Sequence, residues 1–355
     1  MTTNTATARP IDSSTPPLHA DARPGAPLSP KEAYRALCGT ESAIHLFARD
    51  WWLDAAVGPD GWDVAIVGKH DRILAAMPYV VRRRWGMRIL TQPALTPMLG
   101  PWLHDSGGKP AARLSSQKEA MRALIDQLPP FDHYSQTWHP DVGNWQPFYW
   151  KGFRQTTYYT YTLADLSDPD ALWAGLDSKT RRAIAKAGDE HRLEVRDDLA
   201  LEQLLELNRK TFGRQGLAPP YPDELVRRLD AACRARGCAK MLLAVGPDGV
   251  PQAGYYFVWD ERSAYALISC ADPAHRSSGA NSLCLWATIQ AVGRLERQYN
   301  FSGSMIESIE AYLRAFGGAQ TPYFHVSKTR SRLLLAREGV LHSSGRNDAA
   351  PYLPG

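Results

Sequence analysis

Arg276, Ser277, Ser278, Gly279, Ala280 and Asn281 stand between a β-like run, Ser263–Cys270, and an amphipathic segment whose apolar face includes Leu285, Ile289 and Val292. Small residues at a strand-to-helix junction let backbone N–H groups approach an anion, and a helix N-terminus favours negative charge. An arginine beside the junction can add bidentate phosphate contacts. Arg276, Ser278, Gly279, Ala280 and Asn281 are therefore the candidate residues for a phosphate-bearing ligand. A plain polar loop with a helix cap at Asn281 or Ser282 has the same composition. The order of the surrounding elements favours the site.

A second group is basic. Lys179, Arg182 and Lys186 recur at helical spacing and share one face, with Arg181 beside them. Such a face binds phosphate or nucleic acid, or is simply solvated. For proton transfer the candidates are Tyr161, Tyr256, Asp272 and His275, with Tyr255 and Tyr323 near them in type. Aromatic residues on strands are usually core, and Asp272 before Pro273 can equally begin a turn. Arg214 closes a helix-like segment that starts near Leu199, where a plain helix stop explains it almost as well as a substrate contact does; Tyr323 is a further candidate contact. The run Arg82, Arg83, Arg84 beside Trp85 reads as a charged hairpin tip that protects a sheet edge.

These residues need a scaffold, and the chain spells one twice. In the first half, Trp62–Gly68, Ile73–Val81 and Met87–Thr91 read as short strands. A helix near Gln117–Leu128 and a strand over Phe131–Trp138 follow. In the second half, Met241–Val245, Ala253–Trp259 and Ser263–Cys270 form another meander, broken by the turn Gly246-Pro247-Asp248-Gly249. The helix after Gly279 and a strand near Tyr299–Ser302 come next. Ser304 with Glu307 predicts a capping box, Gly317-Gly318 a helix stop, and Pro322–Lys328 a last strand.

The chain has 355 residues, enough for two ordinary domains. With 44% hydrophobic and 22% charged residues, a packed core is expected. A net charge of +4 permits an anionic ligand and argues against a DNA-coating protein. Five cysteines without a framework point to free thiols and a cytoplasmic setting. Cys233 and Cys238 lack a second pair, so no metal is expected. Neither a signal peptide nor a membrane span is legible. Residues 1–28 read as a disordered leader and 331–355 as a tail.

Longer segments carry a family resemblance. They are Trp51-Trp52-Leu53, Leu74–Tyr79, Asn144–Phe153, Tyr159-Thr160-Tyr161, Lys179–Ala187, Phe301–Ile306, Phe316-Gly317-Gly318 and Pro322-Tyr323. Together they resemble the FemAB-like, CelD-type branch of the GNAT acyltransferase superfamily, and the Arg276–Asn281 junction is similar to its pyrophosphate loop. The resemblance implies an α/β fold of two tandem GNAT-like domains, 29–155 and 156–330, each a mostly antiparallel mixed sheet flanked by helices. It implies N-acyl transfer to a small or glycan-linked amine acceptor, with acyl-CoA as donor or aminoacyl-tRNA in its place. The donor is expected in the second domain. Relatives commonly carry Asp and Glu where this chain has Asn300 and Ser302. That departure leaves the general base open, and a degenerate, non-catalytic binding subunit is a further alternative.

Overall fold

The computed structural model describes residues 28–69 and 72–330. The expected leader therefore lies outside the described residues except for Leu28, and the expected tail lies wholly outside them. The first half runs α1 (Pro30–Thr40), α2 (Asp50–Val57), β1 (Asp63–Lys69), β2 (Arg72–Arg84), β3 (Met87–Thr91), β4 (Trp102–Leu103), α3 (Pro110–Gln127), β5 (His133–Thr137) and α4 (Gln146–Trp150). There follow β6 (Arg154–Leu163), α5 (Pro169–Gly175), α6 (Ser178–Asp189), β7 (Glu194–Arg196), α7 (Leu201–Gly213) and α8 (Asp223–Arg234). The chain continues through β8 (Ala239–Val245), β9 (Pro251–Trp259), β10 (Ser263–Ala271), α9 (Ala280–Gly293), β11 (Gln298–Asn300), α10 (Glu307–Arg314) and β12 (Ala319–Thr329).

Among the described residues all strands join one 12-stranded sheet in the order β1-β2-β3-β5-β12-β6-β11-β10-β9-β8-β7, with β4 paired to β2. The topology repeats. Strand β3, helix α3 and parallel strand β5 make one crossover, and β10, α9 and parallel β11 make another. Both lie in otherwise antiparallel meanders, so the fold is the expected mixed α/β one of two GNAT-like repeats. The last strand welds them: β12 is antiparallel to β5 on one side and to β6 on the other.

Strand periodicity sorts the core into two layers. Tyr255 and Phe257 point to the face covered by α9, with Leu285, Ile289 and Val292. Tyr256 and Val258, one residue on, point to the face covered by α7 and α8, with Leu204, Leu229 and the first-half residues Phe47 and Trp52.

One local expectation changes. The helix α10 is capped by Ile306, and no capping box forms, because Ser304 Oγ accepts from the Ile306 N–H at 3.1 Å. Arg82, Arg83 and Arg84 stand at the expected hairpin tip: among the described residues they pair with β3 alone, and β1 ends opposite Tyr79, which leaves their other side an open edge. Phe148 and Phe153 lie in the core, whereas Trp150 is 46% exposed and lies under the Arg122 guanidinium at 4.7 Å.

Candidate functional site

The strand-to-helix junction is built from short-range bonds. Asp272 Oδ1 accepts from the Ala274 N–H at 2.9 Å and starts a single 3-10 turn, Pro273–His275. The Ser278 N–H and Oγ both donate to the His275 carbonyl, at 3.0 and 2.8 Å. Ser278 Oγ also accepts from the Ala280 N–H at 3.3 Å. Gly279 then caps α9 with φ of +77°. The first turn of a helix leaves N–H groups without intrahelical acceptors. Here those of Asn281 and Ser282 have none among the described residues. Arg276 is exposed beside them, with no side-chain partner among the described residues.

Helix α6 crosses this first turn. Ala183 packs on Gly279, and Lys179 and Lys186 lie one helical turn to either side of Ala183, with Arg182 next to it. The structure thus gathers Arg276, Ser278, Gly279, Ala280 and Asn281 with Lys179, Arg182 and Lys186 at one helix entrance. Lys179 and Arg182 are exposed without an ion-pair partner among the described residues. Lys186 faces Glu190 at 3.9 Å. Arg181 is turned inward instead, donating to the carbonyls of Ala174 and Leu176, each at 2.9 Å.

The proton-transfer candidates separate. Tyr161, on the α9 side, donates to Glu310 Oε1 and accepts from Gln320 Nε2 at 3.5 Å. Burial, and then the Glu310 carboxylate, raise its pKa. Asp272 is 9% exposed and meets Lys210 Nζ at 3.0 Å. Burial pushes its carboxyl up, but the Ala274 N–H and Lys210 outweigh that and hold it below the usual range. Tyr256 does not reach the junction: strand alternation turns it to the opposite face, where Oη donates to Asp230 Oδ1 at 2.9 Å. Its role is in that core. Tyr323 also faces away from α9, with its ring 5.9 Å from that of Tyr158. His275 is half-buried in the loop, and Arg214 is exposed at the C-terminus of α7.

Beside the junction, β10 and β11 part. They pair only over Ser263–Tyr265 and Gln298–Asn300, after which β10 carries a bulge at Leu267. The chain beyond β11 turns through Ser302 (φ +60°) and Gly303 (φ +68°). Asn300 Oδ1 shapes this turn by accepting from Thr160 Oγ1 at 2.7 Å and from the Ser302 N–H at 2.8 Å. Ser302 Oγ donates to the Ala266 carbonyl at 2.6 Å, across the mouth of the notch. Glu310, Lys210 and Thr160 were not singled out by sequence, because their partners are 149, 62 and 140 residues away.

A cavity of about 330 Å³ lies elsewhere, beyond the opposite end of β10, lined by His45, Trp102, His139 and Arg262 among others. The two imidazoles stack at 4.6 Å, and burial lowers each pKa to about 3.

Comparison with known proteins agrees with this architecture. Residues 176–304 match the family model described as an acetyltransferase (GNAT) domain, so this stretch of the chain is a GNAT-type domain. It contains α6, the notch strands and the junction. The fold is that of FemX, at a TM-score of 0.63 and 12% identity over 87% of this chain and 98% of that one. It is similar too to the C-terminal domain of a putative lysylphosphatidylglycerol synthetase from Agrobacterium fabrum (TM-score 0.52, 12% identity, 88% of this chain and 98% of that one). A tandem GNAT protein from the clavulanic acid biosynthesis pathway aligns at a TM-score of 0.50 and 12% identity, over 85% of this chain and 95% of that one. These likenesses agree with the FemAB-like resemblance at the level of fold. No curated protein sequence matches significantly.

Proposed function

We propose that the chain is an N-acyltransferase that takes an acyl group from acyl-CoA and delivers it to an amine: an amino sugar, an amino acid or a biosynthetic intermediate. The observation that carries this reading is the first turn of α9, where the unclaimed N–H groups of Asn281 and Ser282 stand beside the unpaired Arg276. The pyrophosphate binds there. The acyl arm enters the notch between β10 and β11. Leu267, which has no cross-strand partner, offers its N–H to the thioester carbonyl. The neutral amine attacks that carbon, the C–S bond breaks, the thiolate takes a proton from Tyr161 or His275, and the proton shed by the acylated nitrogen restores that residue. Asp272 serves the reaction by holding the loop rather than as a base, because the Ala274 N–H and Lys210 occupy its two oxygens and lower its affinity for a proton. Positioning of amine and thioester supplies most of the acceleration.

Calorimetric titration with acetyl-CoA tests the donor site. Saturable binding that Arg276→Ala weakens supports it, and full affinity in that variant overturns it. One observation favours a second reading: the free Lys179 and Arg182 on α6 also suit the phosphates of an aminoacyl-tRNA. In that case donor affinity falls steeply with salt.

A further inference from the structure

The sheet face opposite α9 holds a feature the donor site does not use. Along β6 the residues on that face are Arg154, Thr156 and Tyr158. Register places them beside Ser327, His325 and Tyr323 of β12, which in turn meet Ser135 and Thr137 of β5. No aliphatic side chain interrupts this strip. Tyr158 and His325 stack at 5.2 Å with planes 11° apart, and Tyr323 meets Tyr158 edge-on. The His325 ring nitrogens are within 3.2 Å of Thr137 Oγ1 and 3.4 Å of Ser135 Oγ. The helix that packs on β6, α4, does so from the other side, with Phe148 in the core that holds Val326.

The strip is concave. Strands β5 and β10 are separated in the sheet by β12, β6 and β11, yet His139, just past β5, bonds Tyr265 Oη of β10 at 3.1 Å. The sheet therefore curls toward this face. Its floor is three strands ~4.8 Å apart, on the order of 10–15 Å wide. Its upper end is the notch, because Gly303 lies directly on Tyr159 and Thr160. A donor on the α9 side and a molecule in this trough would meet across the notch.

We infer that the trough holds the acceptor, and that the acceptor is an amino-sugar-bearing oligosaccharide rather than a lone small amine. The inference rests on the acyl-transfer reading. The accessible ring surfaces of Tyr158 and His325 suit the C–H faces of sugars, and the hydroxyls of Thr156, Ser135 and Ser327 suit sugar hydroxyls, while the buried Thr137 and Tyr323 hold those rings in place. The floor offers one cation, Arg154, and no carboxylate among the described residues, which suits a polyhydroxylated chain bound through its hydroxyls, with its reacting amine delivered unprotonated.

Titration of the full chain with a glucosamine trimer, the glucosamine monomer and triglycine tests this, with acyl transfer from acetyl-CoA followed in parallel. Saturable trimer binding is expected, at least tenfold tighter than the monomer. It should weaken at least tenfold in Tyr158→Leu and in Thr156→Trp, the latter at an exposed position where added bulk leaves the fold intact. Unchanged CoA affinity in both variants shows that the donor side is unaffected. Trimer affinity unmoved by both variants, or triglycine bound as tightly as the trimer, overturns the inference. If the trimer binds and both variants lose it, but wild type transfers no acetyl group, the transfer reading fails and the trough stands. If wild type acetylates monomer and trimer alike, and the variants do so equally, the trough fails and the transfer reading stands.

Discussion

Gly279 lies so close to Ala183 that a Cβ on the glycine would fall 2.2 Å from the Ala183 carbonyl oxygen. The contact fixes the basic helix α6 across the entrance of α9. It also demands glycine twice, once for space and once for φ of +77°. Gly279→Ala is expected to cost at least ~1–3 kcal/mol of stability from backbone strain alone, and to weaken CoA binding more than tenfold as α6 is pushed away. Urea unfolding with a parallel CoA titration measures both. Gly39→Ala is the control, since nothing lies within 4 Å of its built Cβ.

Adjacent arginines on α6 should behave oppositely. Arg181 donates to carbonyls at the end of α5, so Arg181→Ala leaves those acceptors unpaired at a cost of about 1–3 kcal/mol. Arg182 is exposed and bonds to nothing among the described residues. Arg182→Ala is expected to stay within about 0.5 kcal/mol of wild type while lowering donor affinity severalfold. Thermal unfolding and calorimetry on the two variants read the contrast. Equal loss of stability in both would remove Arg182 from the binding face.

How much of this was legible in the sequence follows from how local each signal is. The meanders, the strand-to-helix junction and the basic spacing at Lys179, Arg182 and Lys186 are patterns within about a dozen residues, and they stand in the structure where periodicity put them. The shorter pieces α2, α4 and β7 carry too few residues for a period, and were read as motifs or not at all. The insertion of β12 between β5 and β6 is a long-range pairing that no window can see. Tyr256 shows the cost of that limit: neighbouring Tyr255 and Tyr256 look interchangeable until the sheet assigns them opposite faces. The junction residues were legible because they are consecutive; the Asn300–Thr160–Ser302 network was not, because it spans separate strands.

That network makes its own prediction. Both contacts to Asn300 Oδ1 come from donors, Thr160 Oγ1 and the Ser302 N–H. Asn300→Asp keeps an acceptor in place and should fold, whereas Asn300→Ala abandons both donors in a site only 6% exposed. The expected cost is about 1–3 kcal/mol for each buried group left unsatisfied. If the chain works by positioning, the double variant Asn300→Asp, Ser302→Glu gains little in turnover. A gain from no activity to clear activity would instead mark the native chain as a binding subunit. Steady-state kinetics on wild type and both variants decides.

The stacked histidines predict how the fold responds to acid. His45 Nδ1 is sealed from solvent without a partner among the described residues, and His139 is 7% exposed. Burial lowers both from 6.5 to about 3. In the unfolded chain each imidazole takes up a proton near 6.5, while in the folded chain it stays neutral down to about 3. Between those values the unfolded state binds more protons, so stability rises with pH across the window. The stabilisation is complete above the unfolded pKa and is lost as pH falls below it. The slope approaches about 1.4 kcal/mol per pH unit for each histidine. Urea unfolding between pH 7 and 5, before most carboxylates titrate, reads this effect. Burial lowers His325 as well, to about 4, so His139→Gln removes one of three such groups and should flatten the slope by up to about a third, whatever it does to stability at pH 7. An unchanged slope would mean that the imidazoles protonate in the folded protein and that the stacked pair is not held neutral.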